Sequence, residues 1–172
     1  IDTPYLIASV TKMYTAAVIL MLHQERRIEL DAEISRYLPA ELLRGIHVLD
    51  GRDFSSEIKV FQLVNQTSGL ADYFQDKPRG GRSLFEELVS GHDRAVRFPD
   101  VLEIVRRLKP KFAPGAKGGK KAAYSDTNYQ LLGQIIAEVT GKPVAESFQE
   151  RIFEPLGLRN TFVYDPTDPR LE

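Results

Sequence analysis

The chain has 172 residues, 42% of them hydrophobic and 27% charged, which is enough for one domain with its own core. Its 23 Lys and Arg nearly balance 24 Asp and Glu, leaving a net charge of −1 and no global field that would favour nucleic acid or an anionic membrane. Cysteine is absent, which excludes disulfide scaffolds, thiolate metal sites and cysteine nucleophiles, and no apolar run approaches the roughly 20 residues of a transmembrane helix.

Residues 9–26 read as a helix, with Val10, Met13, Tyr14, Ala17, Val18, Leu20 and Met21 on a broad apolar face. A short extended piece follows at Ile28 and Leu30, then a turn at Asp31 and a helical turn ending at Pro39. The stretch "SEIKVFQLVNQTSGL" predicts a helix with Ser56 as cap, Ile58, Phe61, Leu63 and Val64 toward a core, and Gly69 as its stop. "DKPRGGRS" is a turn-rich loop. "SLFEELVSG" is a short helix closed by Gly91, and "FPDVLEIVRRLK" is another, with Asp100 near its start and basic residues in its last turn. "PKFAPGAKGGKKAAYSD" is a loop with three glycines and two prolines. "TNYQLLGQIIAEVTGK" is the strongest helix: Tyr129, Leu132, Ile135, Ile136 and Val139 share a side, and Gly141 sits where a helix-ending glycine belongs. "PVAESFQERIFEPLG" is a last helix with Pro143 in its first turn, and "LRNTFVYDPTDPR" reads as extended and then turn-rich. With no alternation of strands and helices, the expected fold class is mainly α.

Ser9 and Lys12 stand three residues apart at a helix start, so their side chains share a face about 5–6 Å apart. They read either as a cap and a surface charge, or as a nucleophile beside its base. A serine hydroxyl attacks only when a base takes its proton. A lysine serves as that base only if desolvation or neighbouring positive charge lowers its pKa. The helix N-terminus would add N–H groups and positive potential near a developing oxyanion. Tyr124 and Asp126 open the strongest helix and offer a phenol for proton transfer and a partner for an ammonium; the plainer reading is a packed aromatic and an N-cap.

In order and approximate spacing, "SVTK", "QTSGL", "FAPG", "YSDTNYQLLGQIIAEVTGK" and "FEPLGLRNTF" resemble the class C β-lactamase-like serine hydrolases, which include β-lactamases, D-alanyl-D-alanine carboxypeptidases, penicillin-binding proteins, D-amino-acid peptidases and esterases. The resemblance runs from about residue 5 to 163. It implies that Ser9 is the acylated nucleophile, Lys12 shares its proton and Tyr124 relays a proton to the leaving group. Asp126 stands where the family's Tyr-x-Asn motif usually has asparagine and would pair with Lys12 and hold it charged, which fits a peptidase or esterase at least as well as a β-lactamase; the implied substrates are β-lactams, D-amino-acid peptides or esters, cleaved through an acyl-enzyme. A competing register, Ser125-Asp126-Thr127, resembles the Ser-Asp-Asn of class A enzymes; the downstream helix and "EPLGL" favour the tyrosine register. Gln66 replaces a frequent His of the family in a loop that reads as architectural, with little catalytic consequence expected.

The resemblance further implies that residues 1–172 are the helical portion of the β-lactamase/transpeptidase-like α+β fold, a fragment without most of the central sheet and without the Lys/His-x-Gly strand. It implies a small-molecule or peptide substrate and a periplasmic or extracellular setting. The alternative is a non-catalytic penicillin-binding sensor or an inert helical assembly module. Uncovered apolar faces would favour self-association. His23, His47 and His92 are scattered, and no metal or cofactor is expected. The loop carrying Lys109, Lys111, Lys117, Lys120 and Lys121 lacks the Gly-Lys-Ser/Thr of a phosphate cradle and reads as a solvated flexible loop beside the site mouth.

Overall fold

Apolar residues recur at helical spacing through residues 126–140, and the helix they form lies at the centre of the core. The computed structural model describes residues 5–164. A 3-10 turn (Ala8–Val10) leads into α1 (Thr11–Gln24); α2 (Ala40–Leu43), β1 (Val48–Leu49), β2 (Arg52–Asp53), α3 (Val60–Val64), α4 (Leu84–Val89), α5 (Phe98–Arg106), α6 (Asp126–Thr140) and α7 (Val144–Phe148) follow. α7 runs on into a π turn, Gln149–Phe153. Among the described residues the only sheet is the β1–β2 hairpin, so this portion has the expected mainly helical architecture. Among the described residues no helix is long and apolar enough to cross a membrane.

α6 packs against α1, α3, α5 and α7. Its Leu131, Leu132, Ile135 and Ile136 are fully buried and meet Val18, Ile19 and Leu22 of α1, Leu63 of α3, Val101, Leu102 and Val105 of α5, and Phe148, Ile152 and Phe153 in one core. Each such side chain contributes about 1.5–3 kcal/mol by leaving water. Gly141 takes the left-handed φ of +71° and closes α6, as its position predicts. Ser83 caps α4: its Oγ accepts the Glu86 N–H at 3.1 Å while Glu86 Oε2 accepts the Ser83 N–H at 3.2 Å.

Three local expectations are corrected. α1 buries Thr15, Val18, Ile19 and Leu22, while Val10, Met13, Leu20 and Met21 are exposed. A helix apolar nearly all round carries no periodic signal strong enough to choose its inner face. Ser56 lies in a 3-10 turn (Ser55–Glu57) rather than capping α3; that helix starts at Lys59, whose N–H is accepted by Gln62 Oε1 at 2.9 Å. α3 ends at Val64, and Gly69 serves another purpose. With φ +76°, it lets the Phe112 carbonyl approach so closely that a Cβ would lie 2.0 Å from that oxygen. The hairpin carries its own signal, Asp50-Gly51, both at positive φ, pairing Val48 with Asp53 and Leu49 with Arg52. The "DPTDPR" end of the predicted tail lies outside the described residues.

Candidate active site

The packing of α1 on α6 brings the starts of both helices together. Ala8, just before Ser9, holds a left-handed φ of +44°, a conformation non-glycine residues avoid unless the surroundings impose it. Ser9 follows inside the 3-10 turn and is exposed; Val10 is the residue that leads into α1, without a side-chain cap bond. Ser9 is therefore not a helix cap. Its Oγ is 2.8 Å from Tyr124 Oη and accepts from Lys12 Nζ at 3.1 Å. Lys12 Nζ also makes a short ion pair with Asp126 Oδ1, and Tyr124 Oη donates to the same oxygen at 3.0 Å. Four residues separated by more than a hundred positions thus form one hydrogen-bonded cluster.

Lys12 is not the surface charge of the plainer sequence reading: the Lys12 and Asp126 side chains are each only 18% exposed. Partial burial works against the Lys12 ammonium, but hydrogen bonds and charge from Asp126 and Tyr124 outweigh it and hold the pKa above its ordinary value. Asp126 and Tyr124 thus favour the ammonium form of Lys12, opposite to the lowering that a lysine base requires. Its ammonium sits 5.0 Å from the ring centroid of Tyr124 and 5.6 Å from that of Tyr129. An ammonium has no acceptor, so it donates to Ser9 Oγ; the serine proton is then directed to Tyr124 Oη, and the phenol proton to Asp126 Oδ1.

Behind the cluster, the loop 66–74 grips the start of α6. Ser125 Oγ and Thr127 Oγ1 both donate to the Ala71 carbonyl, at 3.0 and 2.7 Å, and the Tyr73 N–H donates to Thr127 Oγ1 at 3.1 Å. Ser68 Oγ donates to Asn128 Oδ1 at 2.6 Å. Gln66 accepts the Ala123 N–H on its carbonyl and the Ser125 N–H on Oε1, each at 3.0 Å. Ser125 and Thr127 are fully buried and face Ala71, so of the Ser-Asp-Thr register only Asp126 reaches the cluster. Asp72 is also buried, which raises its pKa above the ordinary carboxylate value; it accepts the Phe74 N–H at 3.0 Å and the backbone N–H of Asp126. The sequence marks this loop as architectural but does not name its partners. "QTSGL" carries no residue that announces hydrogen bonds to a segment some 60 positions away.

The other sequence candidates lie apart. His23 Nδ1 bonds the Ile28 carbonyl at 2.8 Å, exposed His92 bonds Ser90 Oγ, and buried His47 donates from Nε2 to the Ser68 carbonyl at 3.1 Å. No group of three or more His, Cys, Asp or Glu in metal-binding arrangement occurs among the described residues. In the lysine loop, Lys111 pairs with Asp76 and Lys121 lies over the Phe112 ring.

A family model described as Beta-lactamase matches residues 2–171. A protein of Escherichia coli (strain K12) named "Putative D-alanyl-D-alanine carboxypeptidase" is 29% identical over 165 residues, covering 95% of this chain and 34% of that protein. The chain thus spans about a third of the length of the curated relatives it matches. Among solved structures, a D-stereospecific amidohydrolase from Streptomyces sp. is similar at a TM-score of 0.73 and 32% identity, over 92% of this chain and 44% of its own. The D-amino acid amidase from Ochrobactrum anthropi SV3 complexed with D-phenylalanine is similar at 0.72 and 29%, over 94% and 39%. With a family model matched across nearly every residue and the same fold in these hydrolases, the chain belongs to the β-lactamase family of serine hydrolase-like proteins.

Proposed function

We propose that this chain carries the nucleophile and proton-handling groups of a serine hydrolase that works through an acyl-enzyme on amide or ester bonds. The observation that carries the reading is Ser9 Oγ within hydrogen-bond distance of both Tyr124 Oη and Lys12 Nζ, at 2.8 and 3.1 Å. In this mechanism Ser9 Oγ bonds to the substrate carbonyl carbon and the carbonyl π pair moves onto oxygen. The serine proton passes to Tyr124 Oη as the phenol proton passes to Asp126 Oδ1. The Lys12 ammonium stays charged and stabilises the negative charge developing on the serine and tyrosine oxygens. Collapse breaks the bond to the leaving nitrogen or oxygen, which takes its proton back through Tyr124. Water then attacks acyl-Ser9 over the same path and frees the acid.

Asp126 bears on the substrate class. A carboxylate only accepts, so it cannot donate to a substrate carbonyl as an asparagine does. This favours D-amino-acid peptides, amides or esters over β-lactams, and accords with relatives named for carboxypeptidase and amidase activity. Tyr5, Leu6, Val10 and Met13, close to Ser9 in the sequence, are all exposed, and apolar side chains left in water favour self-association of the isolated segment.

The test treats the complete gene product with a fluorophosphonate or a penicillin probe and maps the adduct by mass spectrometry. A single adduct on Ser9, lost in Ser9→Ala, is the expected result. Labelling elsewhere, or undiminished labelling of Ser9→Ala, overturns the assignment. A Ser9 adduct with no turnover of D-amino-acid amides or p-nitrophenyl esters would instead mark a penicillin-binding sensor.

A further inference from the structure

Tyr124 poses a mechanical problem. Its side chain must hold one oxygen against both Ser9 and Asp126, yet the residue is 49% exposed, so packing alone does not fix the ring. The main chain on either side of it is fixed, and by one residue. Gln66 accepts the N–H of Ala123 on its own carbonyl and the N–H of Ser125 on its side-chain Oε1, both at 3.0 Å. The same Oε1 takes a short hydrogen bond from Asn128 Nδ2, and Asn128 is itself fully buried and held by Ser68 Oγ at 2.6 Å. With two donors on Oε1, the amide has one orientation. Gln66 also pays a backbone cost for this placement, with φ +64° in the left-handed region.

We propose that Gln66 is a positioning residue for Tyr124: by bracing the peptide units before and after the tyrosine, it aims the phenol at Ser9. Gln66 touches none of the reacting atoms, and the inference rests on the reading of Tyr124 as the proton carrier. Misplacing a reacting group by about 1 Å lowers rate by about 10²-fold, whereas substrate binding is left to other parts of the site. The loss therefore falls on the acylation rate constant and not on the substrate dissociation constant.

Gln66→Met keeps the length of the side chain and removes the acceptor; Gln66→Glu keeps the acceptor for both donors. Gln66→Gly also removes the acceptor, and in a residue suited to positive φ, so it serves if the methionine variant does not fold. Rates are measured on the complete gene product with a p-nitrophenyl ester and normalised to acylatable sites. The expected result is a loss of about 10²-fold in the acylation rate constant for Met or Gly with the substrate dissociation constant from pre-steady-state acylation unchanged, and near-complete recovery with Glu. Adding Tyr124→Phe to Gln66→Met should cost little more, because both changes remove the same proton path. A purely structural role predicts multiplied losses. In parallel, NMR of ring-labelled tyrosine should show the Tyr124 signal broadened or displaced in the Met variant and restored with Glu, whether or not the ester is turned over. Wild-type acylation by Gln66→Met, multiplied effects in the double variant, or an unchanged Tyr124 signal overturns the brace. Absence of a Ser9 adduct in wild type, with a Tyr124 signal that still responds to Gln66, would instead count against the hydrolase reading alone.

Discussion

Two stretches of chain meet at Tyr124 and are built in opposite ways. The segment after it, Ser125 to Asn128, is tied to the 66–74 loop by side-chain and backbone hydrogen bonds, and its Ser125, Thr127 and Asn128 are fully buried. The segment before it, residues 115–121, turns through Gly115, Gly118 and Gly119 at positive φ and leaves Lys117, Lys120 and Lys121 exposed. The phenol is thus held through the buried grip on the residue that follows it, while Lys117, Lys120 and Lys121 stay in solvent and its oxygen bonds Ser9 and Asp126.

The comparison is broken most directly at the hydroxyls and charges the grip presents. Tyr124→Phe keeps the ring and removes only the oxygen, and Lys12→Ala removes the cation from Ser9 and Asp126. Each should lower ester turnover by about 10²–10⁴-fold at unchanged fold, judged by circular dichroism. Full activity in Tyr124→Phe would return that residue to a packed aromatic.

Next comes the grip itself. Gly69→Ala sets a methyl against the Phe112 carbonyl in a backbone conformation alanine resists, and should lower stability by about 2–4 kcal/mol in urea unfolding. Wild-type stability would mean that the 66–74 loop has room to relax.

A smaller effect comes from His47, which supports the same loop through the Ser68 carbonyl. Burial holds its pKa below the ordinary 6.5, against hydrogen bonds and the nearby Asp53 charge that act the other way. The unfolded chain therefore takes up a proton before the folded one. Stability from the neutral imidazole is complete above 6.5 and declines as pH falls below it toward the folded-state pKa. The urea midpoint should drop over that range in wild type, with a shallower slope in His47→Gln.

The smallest effect belongs to the loop before Tyr124. Lys117→Ala and Lys120→Ala should each change stability by no more than about 0.5 kcal/mol and leave Tyr124-dependent turnover intact. A loss comparable to Gln66→Met would show that the loop, too, aims the phenol.

The sequence by itself determined the helices with strong punctuation and the identity of the cluster. α6 was legible because Leu132, Ile135 and Ile136 recur at helical spacing and Gly141 ends it; α4 and α5 were legible from Gly91 and Asp100. Ser9, Lys12, Tyr124 and Asp126 were named from two short motifs, which hold chemistry in local spacing. Tertiary structure decided what those motifs do to one another. The inner face of α1 depended on which side α6 covers, since its apolar residues run all round. The direction of the Lys12 shift depended on Asp126 and Tyr124 arriving from more than a hundred residues away to outweigh burial. Gln66 read as an incidental replacement for histidine until the fold set its two oxygens against the peptide units that flank Tyr124. Hydrogen bonds between distant segments leave no periodicity in a chain, so the parts that present chemistry were readable and the parts that aim it were not.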